Sequence, residues 1–385
     1  QHDTNQGKDV SGTNTSTESI TLFTESGDSV SGDYTRTVPE GIETSTKDQT
    51  GDVGTRSFSL LDTADRTFER TESGNRVLGA TETHETASLA GTLTKTDTYD
   101  AGADGSDNQT VYRTGTNLVR DVADNAITEE FDNGSSGTIT TTVYEDGNRG
   151  ITYSQTASNT YTYQSTHSGD RILGDYYLSD SDTNNGGLTR YAEDGPANCT
   201  LMEASSSSSD SGRTGNSVTG DYTILTGTGT STLTSEGSGY NADSSYTFDA
   251  TDTAETTSTT GGGNDVLGDY DSTASGTESH SLTQSGDNPS GTFTLATTSS
   301  SSPVTATTGN SIRGDYTATE TGTDTWTVDQ RNDLGSDYYD LNGGGEKKYT
   351  ITDEHSSITG ESSRTETGTD PYTLSQWGVS GTKTY

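Results

Sequence analysis

The sequence has one cysteine, Cys199, so no disulfide can form within the chain. Its stability must come from elsewhere than covalent staples. Apolar material is scarce as well: hydrophobic residues are 24% of the 385 positions, too few for a thick core. Lys and Arg number 20 against 59 Asp and Glu, a net charge of −39. Nucleic-acid binding rests on Lys and Arg neutralising phosphate, and an anionic membrane surface attracts the same residues. Neither is therefore expected as a partner. No apolar run approaches the ~20 residues of a membrane-spanning helix. Helical stripes at i, i+3, i+4 are missing, because Gly or Thr interrupts every candidate. No Met stands at position 1 and no signal-peptide pattern follows Gln1, so the chain reads as processed or as a fragment.

Chemical motifs are equally thin. His84, His167, His280 and His355 are isolated in sequence, with no partner at metal-ligand spacing. Phosphate loops, dinucleotide fingerprints and nucleophile elbows are absent. Acids are spread along the chain instead of gathering at one place. No catalytic residue, and so no enzyme, is expected. Asp180, Asp182 and Asn184 resemble the start of a calcium loop, but the glycine is displaced and no Glu closes it. Asp100, Asp104 and Asp107 are looser calcium candidates. Arg313-Gly314-Asp315 spells an integrin-binding tripeptide, yet sister copies read Leu-Gly-Asp, Thr-Gly-Asp or Ser-Gly-Asp, so we read it as coincidence inside a strand. Asn14, Asn108, Asn133 and Asn198 head glycosylation sequons, and solvent-facing Thr offers sites for O-linked glycans.

What the chain does have is a repeat. Gly309-Asn310-Ser311-Ile312-Arg313-Gly314-Asp315-Tyr316 returns at 27–34, 169–176, 215–222 and 263–270, with degraded copies at 74–81 and 356–363. The pattern is G-[ND]-x-[VI]-x-G-D-Y. Its recurring positions are Gly32, Tyr34, Gly79, Gly174, Tyr176, Gly220, Tyr222, Gly268, Tyr270, Gly314, Tyr316 and Gly360. Successive copies lie about 46 residues apart, the mark of a repeat architecture. The interval from Gly79 to Gly174 is double, and we place the decayed copy at Asn117-Leu118-Val119-Arg120-Asp121. The whole of 1–385 thus reads as one array, with approximate units 27–73, 74–114, 115–168, 169–214, 215–262, 263–308 and 309–354. Partial units fall at 1–26 and 355–385. A half-period echo appears at Val10-Ser11-Gly12-Thr13, Ser290-Gly291-Thr292 and Val379-Ser380-Gly381-Thr382.

Inside each unit, apolar residues alternate with Thr, Ser and Asp, as in Phe58/Leu60, Phe293/Leu295, Trp326/Val328, Tyr349/Ile351 and Tyr372/Leu374. Period two means half-buried strands. We put Ile312, Gly314 and Tyr316 on one strand face, and read Gly314 as a slot for a neighbouring aromatic ring. Gly314→Val should then over-pack by roughly 1–3 kcal/mol. Ser26-Gly27-Asp28, Ser73-Gly74-Asn75, Ser168-Gly169-Asp170, Ser285-Gly286-Asp287 and Gly309-Asn310 read as hairpin turns, and Gly322-Thr323-Asp324 and Gly368-Thr369-Asp370 as a second turn set. That spacing gives roughly four short strands per repeat. Residues 96–116, 179–214 and Ser299 to Ser302 depart from the pattern and read as exposed loops. The expected fold is all-β: a tandem array of hairpins, solenoid-like or an elongated sheet or sandwich rod.

The G-D-Y-x-x-T and G-T-D-x-[YW]-x-[LV] phrases resemble the degenerate Ser/Thr/Gly-rich strand repeats of very long bacterial RHS/YD-repeat-type surface proteins. Asp269-Tyr270-Asp271 and Tyr99-Asp100 are fragments of that family's signature phrase. The resemblance implies an exported, all-β, hairpin-based protein. Composition and repeat lead to the same expectation: an extracellular or cell-surface structural segment without a cofactor, assembling head to tail with copies of itself. Two alternatives are the stalk of a bacterial adhesin and a module whose Thr and Tyr faces hold polysaccharide.

Overall fold

The computed structural model describes residues 2–4, 8–20, 24–53, 56–99, 105–148, 151–335, 337–380 and 383–384. Asp100, Asp104, Gly381 and Thr382 lie outside them. The chain is all-β, and among the described residues there is no helix. The strands are β1 (His2–Thr4), β2 (Lys8–Ile20), β3 (Thr24–Gly27), β4 (Asp33–Val53), β5 (Arg56–Asn75), β6 (Ala80–Tyr99), β7 (Gly105–Asn125), β8 (Glu130–Asn148) and β9 (Thr152–Asp170). They continue as β10 (Asp175–Asp194), β11 (Ala197–Asn216), β12 (Asp221–Asn241), β13 (Ser244–Asn264), β14 (Asp269–Asn288), β15 (Gly291–Ser301) and β16 (Val304–Asn310). The last are β17 (Asp315–Asp333), β18 (Asp337–Ser356), β19 (Ser362–Thr369), β20 (Tyr372–Ser380) and β21 (Lys383–Thr384).

Two compact units divide these elements: Gln1–Ile172 with Asp182–Asn198, and Leu173–Ser181 with Cys199–Tyr385. In the first unit, β4 to β9 form an antiparallel meander in which each strand pairs with the next; β1, β2 and β3 extend it on the β4 side. The second unit has the same plan, with β12, β13 and β14 in sequence order. There β15 and β16 together fill one strand's place between β14 and β17, and β19 and β20 together pair with β18. Prolines explain both splits. Pro303 and Pro371 have no N–H for the ladder, and each instead uses its carbonyl, accepting from the N–H of Gly276 and of Glu346 at 3.2 Å.

Each repeat is therefore one hairpin of two strands about twenty residues long, not four short strands. The second turn set fails: Gly322-Thr323-Asp324 sits in the middle of β17, paired with Tyr349, Lys348 and Lys347, and Gly368 and Thr369 end β19. The predicted loops fail for the same reason. Residues 105–116 are in β7, 179–194 in β10, Ser205 to Ser209 in β11, and Ser299 to Ser301 in β15. A ladder is held by backbone hydrogen bonds and is indifferent to a polar side chain when both sheet faces meet water. Cross-strand hydroxyl pairs take the place of apolar ones: Ser208–Thr230 at 2.8 Å, Thr298–Thr327 at 2.6 Å and Ser300–Thr325 at 2.8 Å.

Core is thin. Among the described residues, the buried hydrophobic ones are Val38, Phe68 and Val111. Aromatic rings also pack on glycines of neighbouring strands. A Cβ added at Gly41, Gly237, Gly239, Gly286 or Gly322 would enter the ring of Phe68, Phe248, Tyr246, Phe293 or Tyr349. Such pairs let a ring lie flat on the sheet and cover backbone that glycine leaves bare.

The decayed copy of the motif is not at 117–121. Asn117 has φ +53° and, with Leu118, forms a bulge where the β7–β8 register shifts between Thr116 and Val119. The missing turn is Asn125 to Glu129: Asn125 stands in the Asn position, Ile127 in the aliphatic one and Phe131 in that of the tyrosine. Glu129 takes the left-handed place of glycine at φ +59°. That conformation costs a non-glycine residue about 1–2 kcal/mol. The side chain recovers little, because its 3.5 Å pairing with Arg171 is half-exposed. Glu129→Gly should therefore stabilise the first unit by about 1 kcal/mol. Urea unfolding monitored on that unit checks this, and unchanged or lower stability would refute it.

Candidate functional site

The repeated motif is a turn, and building it from its residues shows what it presents. Asn or Asp opens it. The Asn310 side-chain oxygen accepts the N–H of Ile312 at 3.0 Å and of Arg313 at 2.7 Å. Asn75, Asn125, Asn216 and Asn264 do the same for their own turns. The chain then makes one helical turn, with the Gly314 N–H bonded to the Asn310 carbonyl at 2.7 Å, and leaves it through glycine in the left-handed region. Gly32, Gly79, Gly174, Gly220, Gly268, Gly314 and Gly360 all have φ between +68° and +84°. These glycines are not strand residues facing an aromatic slot. The apparent period-two run from Ile312 to Tyr316 crosses a turn, where alternation has no meaning.

The aliphatic residue of the motif changes place accordingly. Val30, Val77, Ile127, Ile172, Val218, Val266, Ile312 and Ile358 are exposed, Ile312 by 62%. Within each unit they line the turn edge, each leaning on the preceding turn's glycine: Val77 on Gly32, Ile127 on Gly79, Val218 on Gly174, Val266 on Gly220 and Ile312 on Gly268.

Successive turns are bonded to one another. In the first unit, the carbonyls of Gly32, Gly79 and Glu129 accept the N–H of Arg76, Ala126 and Arg171 at 2.8–2.9 Å. In the second, Gly174, Gly220, Gly268 and Gly314 accept from Ser217, Asp265, Ser311 and Ser357 at 2.7–2.8 Å. The Asn side-chain amides add a second rung. Asn264 donates to the Thr219 carbonyl at 3.0 Å and to Asp221 at 2.6 Å, and Asn310 to the Leu267 carbonyl at 2.8 Å and to Asp269 at 2.6 Å.

A tyrosine slot does exist, at the motif's first glycine instead of its second. A Cβ at Gly74, Gly215, Gly263 or Gly309 would lie 2.6–3.0 Å from the hydroxyl of Tyr34, Tyr176, Tyr222 or Tyr270. Gly27, Gly74, Gly215, Gly263 and Gly309 are strand-end residues with ordinary φ, not the turn-formers predicted. In the second unit the register Tyr222–Gly263–Tyr270–Gly309–Tyr316–His355 makes one row across the sheet. Its tyrosines stand two strands apart, about 9.6 Å.

Between the last rings of that row lies a cleft of about 690 Å³, lined by Tyr270, Thr308, Gly309, Arg313, Asp315, Tyr316, Thr317, Glu354, His355 and Ser356, and by Glu361, Ser362 and Ser363. Tyr316 and His355 are 5.5 Å apart between ring centroids. A second cleft, about 480 Å³, lies in the first unit around His84 and Asp121. The histidines that look isolated in sequence all have cross-strand partners. His84 Nδ1 is 2.5 Å from Asp121, His280 Nδ1 is 2.5 Å from Asp252, and His167 packs edge-on against Phe131 at 4.9 Å. These pairs are far apart in sequence, so only strand register could reveal them.

The remaining predicted positions are placed as follows. Asp180, Asp182 and Asn184 lie along β10, where extended backbone separates same-face side chains by about 6.8 Å; this is a strand and not a loop. Among the described residues no group of three metal-ligating side chains converges. Asn14 and Asn198 are exposed, whereas Asn108 and Asn133 are half-buried within β7 and β8. Arg313-Gly314-Asp315 is in an exposed turn and not in a strand, and Arg313 reaches back to Asp315 at 3.5 Å and to Asp269 at 3.7 Å. Among the described residues no helix is long and apolar enough to cross a membrane.

Fold and site define a class: an antiparallel β-hairpin repeat with stacked Asn–Gly turns and a row of tyrosines. No known protein family matches the chain, and no curated protein matches it either. Among solved structures, the alcaligin outer membrane receptor of Bordetella pertussis aligns with 95% of this chain and 75% of its own, at 10% identity and a TM-score of 0.19.

Proposed function

We propose that the chain is a structural segment of an extracellular or cell-surface fibre, a β-hairpin repeat that assembles head to tail with further copies of itself. The observation that supports it most is the bonding between turns. Seven turns, from Gly32 to Gly314, offer a left-handed carbonyl to the next turn's N–H, and Asn75, Asn216, Asn264 and Asn310 each extend a side-chain amide to the preceding turn. A further repeat in the same phase extends both rungs, which is the logic of an open, heterologous contact. The resemblance to exported strand-repeat proteins, and a surface that is acidic and rich in hydroxyls, agree with a place outside the cell.

Negative-stain microscopy and light scattering of the purified chain at high concentration test this. Filaments are the expected result. Boiling in detergent then distinguishes a subunit polymer, which yields a band near 40.3 kDa, from covalently continuous material. A monodisperse monomer without filaments would overturn the proposal.

A further inference from the structure

At the motif's aromatic position, in each unit, several rings are covered by arginine. Arg36 and Arg76 stand over Tyr34 at 5.4 and 4.9 Å, Arg171 over Phe131 at 5.0 Å, and Arg213 over Tyr222 at 3.8 Å. The cover has a positional cause. The residue after the turn's Asn or Asp lies above the aromatic ring of the preceding repeat: Arg76 follows Asn75, and Arg171 follows Asp170. At Tyr222 that residue is Asp265, which holds Arg213 over the ring through a 2.8 Å ion pair. Above Tyr176, Tyr270 and Tyr316 the same places belong to Ser217, Ser311 and Ser357, too short to reach a ring; Tyr176 still has Arg213 over it at 5.7 Å, whereas Tyr270 and Tyr316 have no such arginine among the described residues. The nearby Arg313 is turned aside by Asp269 and Asp315. Tyr270 is half-buried and Tyr316 is exposed, and both rings line the 690 Å³ cleft.

We propose that this cleft binds a β-linked polysaccharide whose sugars carry no acid groups. An aromatic ring lying flat on a sheet offers one apolar face, which suits the C–H face of a pyranose. Tyr270 is held flat because its ring end covers Gly309. The pitch of two strands, about 9.6 Å, is the length of one disaccharide of an extended β-linked glycan, so Tyr270 and Tyr316 stack on alternate sugars. His355 continues the line beyond Tyr316. At the flanks, the carboxylates of Asp315, Glu354 and Glu361 accept hydrogen bonds from sugar hydroxyls. The same carboxylates, and a net charge of −39, repel sulfated or uronic glycans.

The full chain is incubated with insoluble cellulose, β-mannan and chitin, and the bound fraction is measured. Retention is expected on at least one of them. Tyr316→Ala and Tyr270→Ala should each weaken it about tenfold, the loss of one stacking contact. Tyr34→Ala, whose ring is already under two arginines, should leave it unchanged. Ser357→Arg restores the cover found in other repeats and keeps the tyrosine, so it should block binding while the circular dichroism spectrum stays that of the parent chain. Failure of the chain to bind any of the three glycans overturns the proposal. So does retention unchanged by both Tyr316→Ala and Ser357→Arg. Filament formation is read separately, so the fibre reading and this one fail independently.

Discussion

Glu85→Gln will destabilise the first unit by about 2 kcal/mol at neutral pH, the cost of taking charge-assisted hydrogen bonds from a buried carboxylate whose arginine partners are part-exposed. Glu85 is 6% exposed and bridges two arginines of the neighbouring strand, Arg66 and Arg70, the latter at 2.6 Å. Both guanidinium groups stand over the ring of Phe68, at 5.0 and 5.2 Å, and Phe68 in turn covers Gly41. Strand alternation puts Arg66, Phe68 and Arg70 on one face, opposite Leu89, Ala87 and Glu85. Burial alone would raise the Glu85 carboxyl; hydrogen bonds and charge from Arg70 and Arg66 outweigh it and hold the group below its ordinary value. A depressed carboxylate contributes stability above its unfolded pKa, about 4.3, and loses it as pH falls through the folded value. The Gln variant should therefore be worse than the parent at pH 7 and approach it in acid below about pH 4. Amide exchange across β5 and β6 measures both. A penalty that does not change with pH would mean that shape, and not charge, is what Glu85 supplies.

Gly220→Ala should cost the second unit about 3 kcal/mol, combining a left-handed backbone with a forced contact. Gly220 has φ +83°, and an added Cβ would stand 2.6 Å from Val266 Cγ2 and 2.7 Å from the Val266 nitrogen. The side chain can rotate, but the backbone nitrogen is fixed by its bond to Asn264 at 2.9 Å. Relief requires the two turns to separate, breaking the bond from the Asp265 N–H to the Gly220 carbonyl. Gly360→Ala is the control: its φ is +74° and nothing lies within 4 Å of the added atom, so only the conformational cost of about 1–2 kcal/mol applies. In a repeat protein the damage should stay with the neighbouring hairpins, and exchange rates in β11 to β14 should rise before any others. Equal losses at the two glycines would show that turn-to-turn packing contributes nothing.

Much of this was legible in the residues. Alternation in Phe293-Thr294-Leu295 and Tyr349-Thr350-Ile351 is strand periodicity, and both segments are strands. The 46-residue period appeared in glycines whose positive φ no other residue type adopts cheaply, so the sequence had to keep them wherever the turn recurs. Glu129 hid one copy because a strained glutamate and Phe131 replaced the two most visible letters of the motif. Asn125, Ile127 and Phe131 at the motif's own offsets were the signal that could have found it.

By itself, then, the sequence determined the all-β class, the repeat and the low apolar content, since each is a local property of spacing or composition. Strand length was decided elsewhere. Gly322-Thr323-Asp324 has the composition of a turn but continues as strand because β18 offers it an unbroken row of backbone partners. Which glycine receives a ring, which histidine meets which aspartate, and which tyrosines lack an arginine cover were settled by cross-strand register. Register brings together residues tens of positions apart, and no single stretch of chain carries that information.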